Sequence, residues 1–173
     1  MFVVIGGLPV TGRTTLARLL AAEIGAVHVR VDTIGQTLVR SGLARYPVGP
    51  AGYVIGYALA EEHLRQGLTV SAESVNPLAV TRNAWRGAAE RANVPSVEVE
   101  VVCSDPVEHR RRVTSRSVDV PDLPLPDWQH ILDREYEPWD RDRVVVDTAG
   151  QDSEASSALL LGAVLSAAAG GSE

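Results

Sequence analysis

The sequence contains no lysine. All 16 of its basic side chains are arginine, against 22 acidic ones, which gives a formal net charge of −6. This acidic balance argues against a dedicated nucleic-acid-binding protein, since such proteins usually carry a basic excess. The only cysteine, Cys103, cannot form an internal disulfide, which is typical of proteins from reducing compartments. By itself, the absence of lysine indicates a compositional bias.

Long apolar runs are also missing. The run from Met1 to Ile5 has no basic residue before it, and Gly6 and Gly7 end it too soon for the core of a signal peptide. The longest later run, 158–169, falls short of the ~20 residues that a membrane-spanning helix needs. We therefore expect a soluble, cytoplasmic protein that does not enter a membrane.

The length and composition predict one folded domain. A chain of 173 residues with a 45% hydrophobic fraction has the size of a single domain and enough apolar residues for a core. Short apolar runs alternate with segments of helical periodicity, which predicts a parallel sheet with helices on both faces. The predicted strands are 2–5, 27–31, 68–72, 97–103 and 143–146, and the predicted helices are 14–24, 33–40, 53–66, 78–93, 105–116, 127–139 and 154–168. We expect one α/β domain over 1–168, followed by a flexible tail over 169–173.

The fourth predicted strand departs from the pattern of a fully buried strand. Val97, Val99 and Val101 alternate with Glu98 and Glu100. Successive side chains of a strand point to opposite faces of the sheet. The alternation therefore predicts that one face of this strand is exposed to water.

The first strand–helix junction carries the clearest functional motif, Gly7-Leu8-Pro9-Val10-Thr11-Gly12-Arg13-Thr14-Thr15. Its glycine spacing, its hydroxyl residue and its place between a strand and a helix match the phosphate-binding loop Gly-x-x-x-x-Gly-Lys-[Ser/Thr]. Glycines allow the backbone amides to surround phosphate oxygens, and the positive end of the helix adds to the attraction. We predict that residues 7–15 bind a nucleotide and that the Thr14 hydroxyl binds Mg²⁺.

Arg13 departs from this motif, because lysine is expected at its position. A guanidinium is planar and bidentate, whereas the lysine ammonium is a compact charge, so the two are not interchangeable. Three interpretations stay open. The loop binds ATP and transfers phosphate with Arg13 bridging the oxygens, or it binds nucleotide but catalyses poorly, or it binds no nucleotide.

Further segments add a family resemblance to this loop. They are Val31-Asp32-Thr33-Ile34, Cys103-Ser104-Asp105-Pro106 with the arginine-rich stretch 109–116 that follows, and Val146-Asp147-Thr148-Ala149. Over residues 1–168 the chain resembles the small P-loop kinases of the adenylate kinase-like group, most of all the short bacterial AAA-type kinases and chloramphenicol phosphotransferase. The resemblance implies a three-layer P-loop NTPase fold with a five-stranded sheet in the order 2-3-1-4-5. It also implies a small lid at about 110–127 and Mg²⁺–ATP as the phosphoryl donor.

The resemblance also implies catalytic roles. Asp32 matches the acid that accepts the proton of the substrate hydroxyl, and the carboxyl end of a strand beside strand one is where such sheets bind ligands. The alternative is that Asp32 caps the helix that begins at Thr33. Arg112 and Arg116 share one face of the helix that leads into the lid, where they would stabilise the transferring phosphoryl group together with Arg13. The alternative for these two is a solvated basic surface.

Several polar residues are candidates for the acceptor pocket. Glu73 follows the third strand, where its carboxylate would hold a Mg²⁺-bound water, contact the substrate, or cap the turn after it. Asn76 and Arg82 lie just beyond and would line the pocket. Arg40 stands where relatives with phosphorylated acceptors carry an arginine.

These observations predict an ATP-dependent phosphotransferase that moves the γ-phosphoryl group to a hydroxyl of a small metabolite or antibiotic-like acceptor. The mixture of apolar and polar residues around the pocket favours a neutral or modestly polar acceptor over a polyanion. One alternative is a nucleotide-binding regulatory module whose catalysis is weakened by Arg13. Another is a polynucleotide end kinase, which the net charge disfavours. The expected partners are the nucleotide and the acceptor, with no membrane and no nucleic acid, in a monomer or homodimer.

Overall fold

The protein folds around a parallel β-sheet. A computed structural model describes residues 1–115, 120 and 122–170. Within these residues, five strands hydrogen-bond in the order β2-β3-β1-β4-β5, which confirms the expected fold. The strands are β1 (Phe2–Gly6), β2 (Val27–Arg30), β3 (Val70–Glu73), β4 (Ser96–Val102) and β5 (Val144–Asp147). The order places β1 at the centre, with β3 and β2 on one side and β4 and β5 on the other.

Helices cover both faces of this sheet. In the described part of the chain they are α1 (Arg13–Glu23), α2 (Val31–Arg40), α3 (Ala51–Arg65), α4 (Ala79–Ala92), α5 (Pro106–Ser115), α6 (Trp128–Leu132) and α7 (Ser153–Gly170). Helices α1 and α7 pack together on one face, and α3 and α4 pack together on the other. None of the helices described is both long and apolar enough to cross a membrane.

The central strand explains the two-sided core. Val3 and Ile5 of β1 join one apolar cluster beneath α1 and α7, while Phe2 and Val4 join a second beneath α3 and α4. Side chains alternate between the faces of a strand, so a strand buried on both faces must be continuously apolar. Trp85 is fully buried in the second cluster. Burial of a valine, isoleucine or phenylalanine side chain in these clusters contributes roughly 1.5–3 kcal/mol to the free energy of unfolding.

The helix predicted over 127–139 is much shorter in the structure. Its early end also leaves a non-helical segment that covers β4. Helix α6 stops at Leu132, and the chain then runs along β4 without helical structure. There Tyr136 donates to Glu100 Oε1 over 3.0 Å, and Arg143 Nε donates to Glu100 Oε2 over 2.6 Å. Arg141 lies 3.9 Å from Glu98. The two glutamates are therefore buried and paired, and the prediction of a water-exposed face on β4 is wrong.

Two boundaries matter for the candidate site. Helix α2 begins at Val31, directly after β2, so Asp32 lies inside its first turn. The predicted lid, 110–127, is described at 110–115, 120 and 122–127. The candidate catalytic residue Arg116 lies outside the described residues.

Candidate functional site

The predicted phosphate-binding loop, residues 7–15, joins β1 to α1. Gly7 and Gly12 have φ angles of 145° and 93°, and Gly7 N donates to Val75 O over 3.1 Å. A Cβ on Gly7 would lie 2.3 Å from Val101 O, so the close approach of the loop to β4 requires glycine there. The first turn of α1 follows directly, which aims its unpaired N–H groups at the loop. This geometry suits an anion.

Arg13 turns its side chain into the protein, where it joins the loop to two acids. Its Nη1 donates to Gly7 O over 2.7 Å, and its Nε donates to Glu73 Oε1 over 3.2 Å. Its Nη2 donates to Asp32 Oδ2 over 3.3 Å. The side chain is only 6% exposed. A guanidinium has donors in several directions, so one arginine makes all three contacts at once.

Glu73 stands at the centre of this cluster, at the carboxyl end of β3. It is fully buried, and it accepts a hydrogen bond from the Thr14 hydroxyl in addition to the one from Arg13. His28 Nε2 lies 3.1 Å from its other oxygen. Burial alone would raise the pKa of Glu73, but the hydrogen bonds from His28 and Thr14 and the charges of Arg13 and Arg30 outweigh it and lower the pKa from 4.5 to about 2. Glu73 is therefore ionised in the folded protein.

This ionisation predicts a dependence of stability on pH. Because the folded-state pKa of Glu73 lies below its ordinary value of 4.5, its contribution is complete above that pH and is lost as the pH falls towards about 2. The contribution is of order 3 kcal/mol. We expect Glu73→Gln to unfold at a lower temperature than the wild type at pH 6, with a difference that shrinks as the pH is lowered towards 3.

Thermal unfolding followed by circular dichroism at a series of pH values tests this expectation. Glu62→Gln is the matched control, because Glu62 is exposed on α3 and its carboxylate accepts a hydrogen bond from the neighbouring Gln66 side chain. If the difference in unfolding temperature between the wild type and Glu73→Gln stays constant between pH 6 and pH 3, Glu73 does not have a lowered pKa in the folded protein.

Asp32 lies at the solvent-exposed edge of the same cluster. Its side chain is 32% exposed and lines a cleft of about 960 Å³, while one of its oxygens is held by Arg13. The backbone position that precedes α2 is Arg30, with no side-chain capping bond, so the interpretation of Asp32 as the cap of a helix starting at Thr33 is wrong. The carboxylate is therefore held by Arg13 and partly exposed to the cleft.

Arg112 lies on the opposite side of the cleft, on α5. Its Nη1 donates to Thr148 Oγ1 and its Nη2 to Thr148 O, both over 2.8 Å, and it also pairs with Glu108. Thr148 in turn donates to Thr11 O over 2.7 Å. The segment after β5 therefore connects α5 to the phosphate-binding loop.

The cleft brings these parts together. Residues of the loop, of the β2–α2 junction, of α5 and of the segment 123–134 all line it. Among the described residues of the lining, the charged side chains are one aspartate and five arginines, namely Asp32, Arg13, Arg18, Arg30, Arg112 and Arg134. The described part of the lining therefore has more arginines than carboxylates, although the chain as a whole is acidic.

The other candidates for the acceptor pocket lie elsewhere. Arg82 is fully buried and donates to the backbone carbonyls of Asn76, Pro77, Glu137 and Pro138 at 2.6–3.2 Å, with its guanidinium carbon 4.3 Å from the centre of the Trp139 ring. Arg82 thereby holds the segment after α6 against α4. It is not among the residues that line the cleft. Asn76 is also fully buried, with a left-handed φ of 53°.

Arg40 is exposed at the end of α2, 3.9 Å from Asp122, and is not part of the cleft lining. Sequence reasoning missed His28 and Arg30, which contact Glu73. Their alternation with the buried Val29 was the available signal, because it places both on one face of β2.

Solved structures of similar fold span nearly the whole chain. A gluconokinase from Sinorhizobium meliloti has a TM-score of 0.68 at 17% identity and covers 97% of this chain and 93% of its own. The Mycobacterium tuberculosis APS kinase CysC, in complex with AMPPNP and APS, has a TM-score of 0.71 at 14% identity, with coverages of 95% and 96%. Chaetomium thermophilum Kti12, in complex with ADP-AlF3, has a TM-score of 0.64 at 22% identity, with coverages of 97% and 99%.

These likenesses confirm the P-loop kinase-like fold that the sequence predicted. No curated protein matches the chain in sequence. One family model, described as an AAA domain (AAA_33), matches residues 2–138. That range holds the phosphate-binding loop, Asp32, Glu73 and Arg112, and the chain belongs to this AAA domain family.

Proposed function

We propose that the protein is a small-molecule kinase that transfers the γ-phosphoryl group of ATP to an acceptor hydroxyl. The observation that carries this proposal is the Arg13 side chain, which bonds the carbonyl of Gly7 in the loop and the carboxylate of Asp32 in the same cleft. A phosphate-binding loop and a candidate base are thereby held at a fixed separation. Phosphoryl transfer depends mainly on such positioning.

The loop would bind the donor. Backbone N–H groups of residues 7–15 and the N-terminus of α1 would surround the β- and γ-phosphates. The nucleoside would extend towards Thr148 and the start of α7, on the β4–β5 side. Arg112, which lines the cleft on that side, would face the phosphates and stabilise charge as it develops. Two similar structures hold the nucleotides AMPPNP and ADP-AlF3, which supports a nucleotide in this fold.

The residues around Thr14 fit a magnesium ion. The Thr14 hydroxyl and the Glu73 carboxylate are oxygen donors in direct contact, and oxygen is the ligand type that Mg²⁺ takes in phosphoryl-transfer sites. When bound, the ion would partly neutralise the negative charge of the phosphates. Thr14 would bind it directly, and Glu73 would orient a water of its shell.

Asp32 would act on the acceptor. Its carboxylate would take the proton of the acceptor hydroxyl while the acceptor oxygen bonds the γ-phosphorus and the bond from that phosphorus to the β–γ bridging oxygen breaks. ADP then leaves, and the proton passes from Asp32 to solvent. Arg13 keeps the Asp32 carboxylate in place through this step and adds positive charge beside the reacting centre.

Nucleotide binding measured by calorimetry with and without Mg²⁺ tests the proposal. We expect the wild type to bind ATP more tightly with Mg²⁺ than without it. Thr14→Ala should lose most of this increase in affinity, a loss of about 10-fold or about 1.4 kcal/mol. Thr37→Ala, which alters an exposed hydroxyl on α2, should match the wild type.

The possible outcomes separate the alternatives. If no ATP binds, the kinase proposal is wrong. If ATP binds but no transfer occurs to any hydroxylated metabolite or to water, the result favours a nucleotide-binding module without catalysis.

A further inference from the structure

One residue of the phosphate-binding loop has a backbone conformation that its side chain disfavours. Val10 has a φ of 68°, in the left-handed region. Valine is β-branched and crowds the backbone there, so such a conformation persists only where neighbouring groups hold it. Val10 and the preceding Pro9 both line the cleft. The contacts of the Pro9–Val10 peptide therefore decide whether the loop keeps this shape.

His109 of α5 holds this peptide. Its Nε2 lies 2.8 Å from Pro9 O, and the residue is only 5% exposed. A carbonyl oxygen can only accept a hydrogen bond, so His109 Nε2 carries a proton and donates it. The proline ring fixes the φ of Pro9, which leaves the ψ of Pro9 and the φ of Val10 to orient the planar peptide between them. A hydrogen bond to the carbonyl oxygen of that peptide restrains both angles.

The imidazole of His109 also packs against α6. The centre of the Trp128 ring lies 5.2 Å from the centre of the imidazole, and the two ring planes meet at 86°. This edge-to-face arrangement is favourable for aromatic rings. Asp127, which caps α6, accepts a hydrogen bond from His130 N and so holds the first turn that carries Trp128. His109 therefore joins α5 and α6 to the phosphate-binding loop.

His109 acts on a ligand only through the loop. The described lining of the cleft includes Pro9, Val10 and Arg112 but not His109. The carbonyl and the N–H of a trans peptide point in opposite directions, so the Val10 N–H points away from the imidazole that binds Pro9 O. In the described part of the chain, this N–H donates to no other group. The bond from His109 thus leaves the Val10 amide oriented and available at the cleft.

We propose that His109 is a positioning residue for the phosphoryl donor. By holding Pro9 O, it keeps Val10 in the left-handed conformation and the Val10 N–H ready to bind a phosphate oxygen. This inference rests on the proposed kinase function. Without the bond, Val10 would relax to a negative φ in most molecules, and only the remaining fraction would bind the donor directly. The apparent affinity would fall in proportion to that fraction.

The test measures binding of AMPPNP with Mg²⁺ by calorimetry, well below the unfolding temperature of every variant. His109→Leu removes the donor but keeps an apolar contact for Trp128, and should weaken binding about 10-fold. In His109→Gln the amide nitrogen can take the place of Nε2, so its affinity should stay within about 3-fold of the wild type. His63→Leu is the matched control and should bind as the wild type does, because His63 is a half-buried histidine of α3 that is not among the described residues of the cleft lining.

A double-mutant cycle with Val10→Gly tests whether His109 acts through the conformation of Val10. Glycine adopts a φ of 68° without a steric penalty, so the loop of this variant depends less on the bond from His109. In the Val10→Gly background, we expect His109→Leu to weaken AMPPNP binding by less than about 3-fold. An equal loss in both backgrounds would overturn the inference, because His109 would then act independently of Val10.

If His109→Leu does not fold, His109→Asn replaces it in both backgrounds, since the shorter asparagine amide cannot reach Pro9 O. An unchanged AMPPNP affinity in these variants, or a loss that His109→Gln does not restore, would overturn the inference and leave the kinase proposal standing. A wild type that does not bind AMPPNP would overturn the kinase proposal, and this inference with it.

Discussion

Asp32→Asn is expected to lower kcat for phosphoryl transfer by about 10²–10⁴-fold, the usual contribution of a positioned general base. Asparagine has nearly the same shape as aspartate, and its amide oxygen can still accept the hydrogen bond from Arg13 that the structure shows. It cannot take the proton of an acceptor hydroxyl. Transfer from radiolabelled ATP to the acceptor, or to water when none is supplied, measures the effect.

The affinity for ATP should change much less than kcat in this variant, because Asp32 lies on the acceptor side of the loop. Asp142→Asn is the matched control, since Asp142 is exposed and outside the cleft lining. A variant at position 32 that keeps more than about a tenth of the wild-type kcat would show that Asp32 is not the base.

Arg13→Lys is expected to lower kcat/KM by about 10- to 100-fold, although it restores the residue found in the general motif. A lysine ammonium cannot replace the three separate contacts that the guanidinium makes to Gly7, Glu73 and Asp32. A hydrogen bond that involves a charged group is worth about 1.5–3 kcal/mol, so loss of the one contact to Asp32 corresponds to roughly 10- to 100-fold. The loss should appear as misplacement of Asp32, and hence mainly in kcat.

Arg13→Ala should have the larger effect on stability. It leaves the buried Glu73 carboxylate without its closest arginine, and breaking a buried ion pair in this way costs about 3–5 kcal/mol. Arg65→Lys, on the exposed surface of α3, serves as the control. An Arg13→Lys enzyme as active as the wild type would mean that arginine occupies this position only because the chain lacks lysine.

The parts of the fold that local patterns determine could be predicted from the sequence. The continuous apolar run of β1 and the glycine spacing after it located the centre of the sheet and the phosphate-binding loop to within a residue or two. A strand–helix junction needs few distant partners, so its sequence carries most of the information about its structure. The helix predicted from residue 105 also begins where expected, since the Asp105 side chain accepts hydrogen bonds from Val107 N and Glu108 N at the start of α5.

Residues whose environment comes from distant segments could not be placed in this way. Arg82 was expected in a pocket because it lies just beyond Glu73 in the sequence, but its guanidinium is buried and donates to carbonyl groups more than 50 positions along the chain. Glu98 and Glu100 were expected to face water, and they are covered by a segment that the periodicity assigned to a helix. The motif predicted the position of Arg13 but not the direction of its side chain, which depends on Glu73 and Asp32.

The replacement of an ammonium by a guanidinium in the loop also changes how this protein can be labelled. ATP derivatives that carry an activated acyl group label nucleotide-binding sites by transferring that acyl group to a nearby lysine amine. A guanidinium keeps its proton at neutral pH and is a poor nucleophile, and no side chain of this chain is a primary amine. A nucleotide site of the kind proposed here would therefore not be acylated by such a reagent, and a survey that identifies kinases by lysine acylation would not detect this protein.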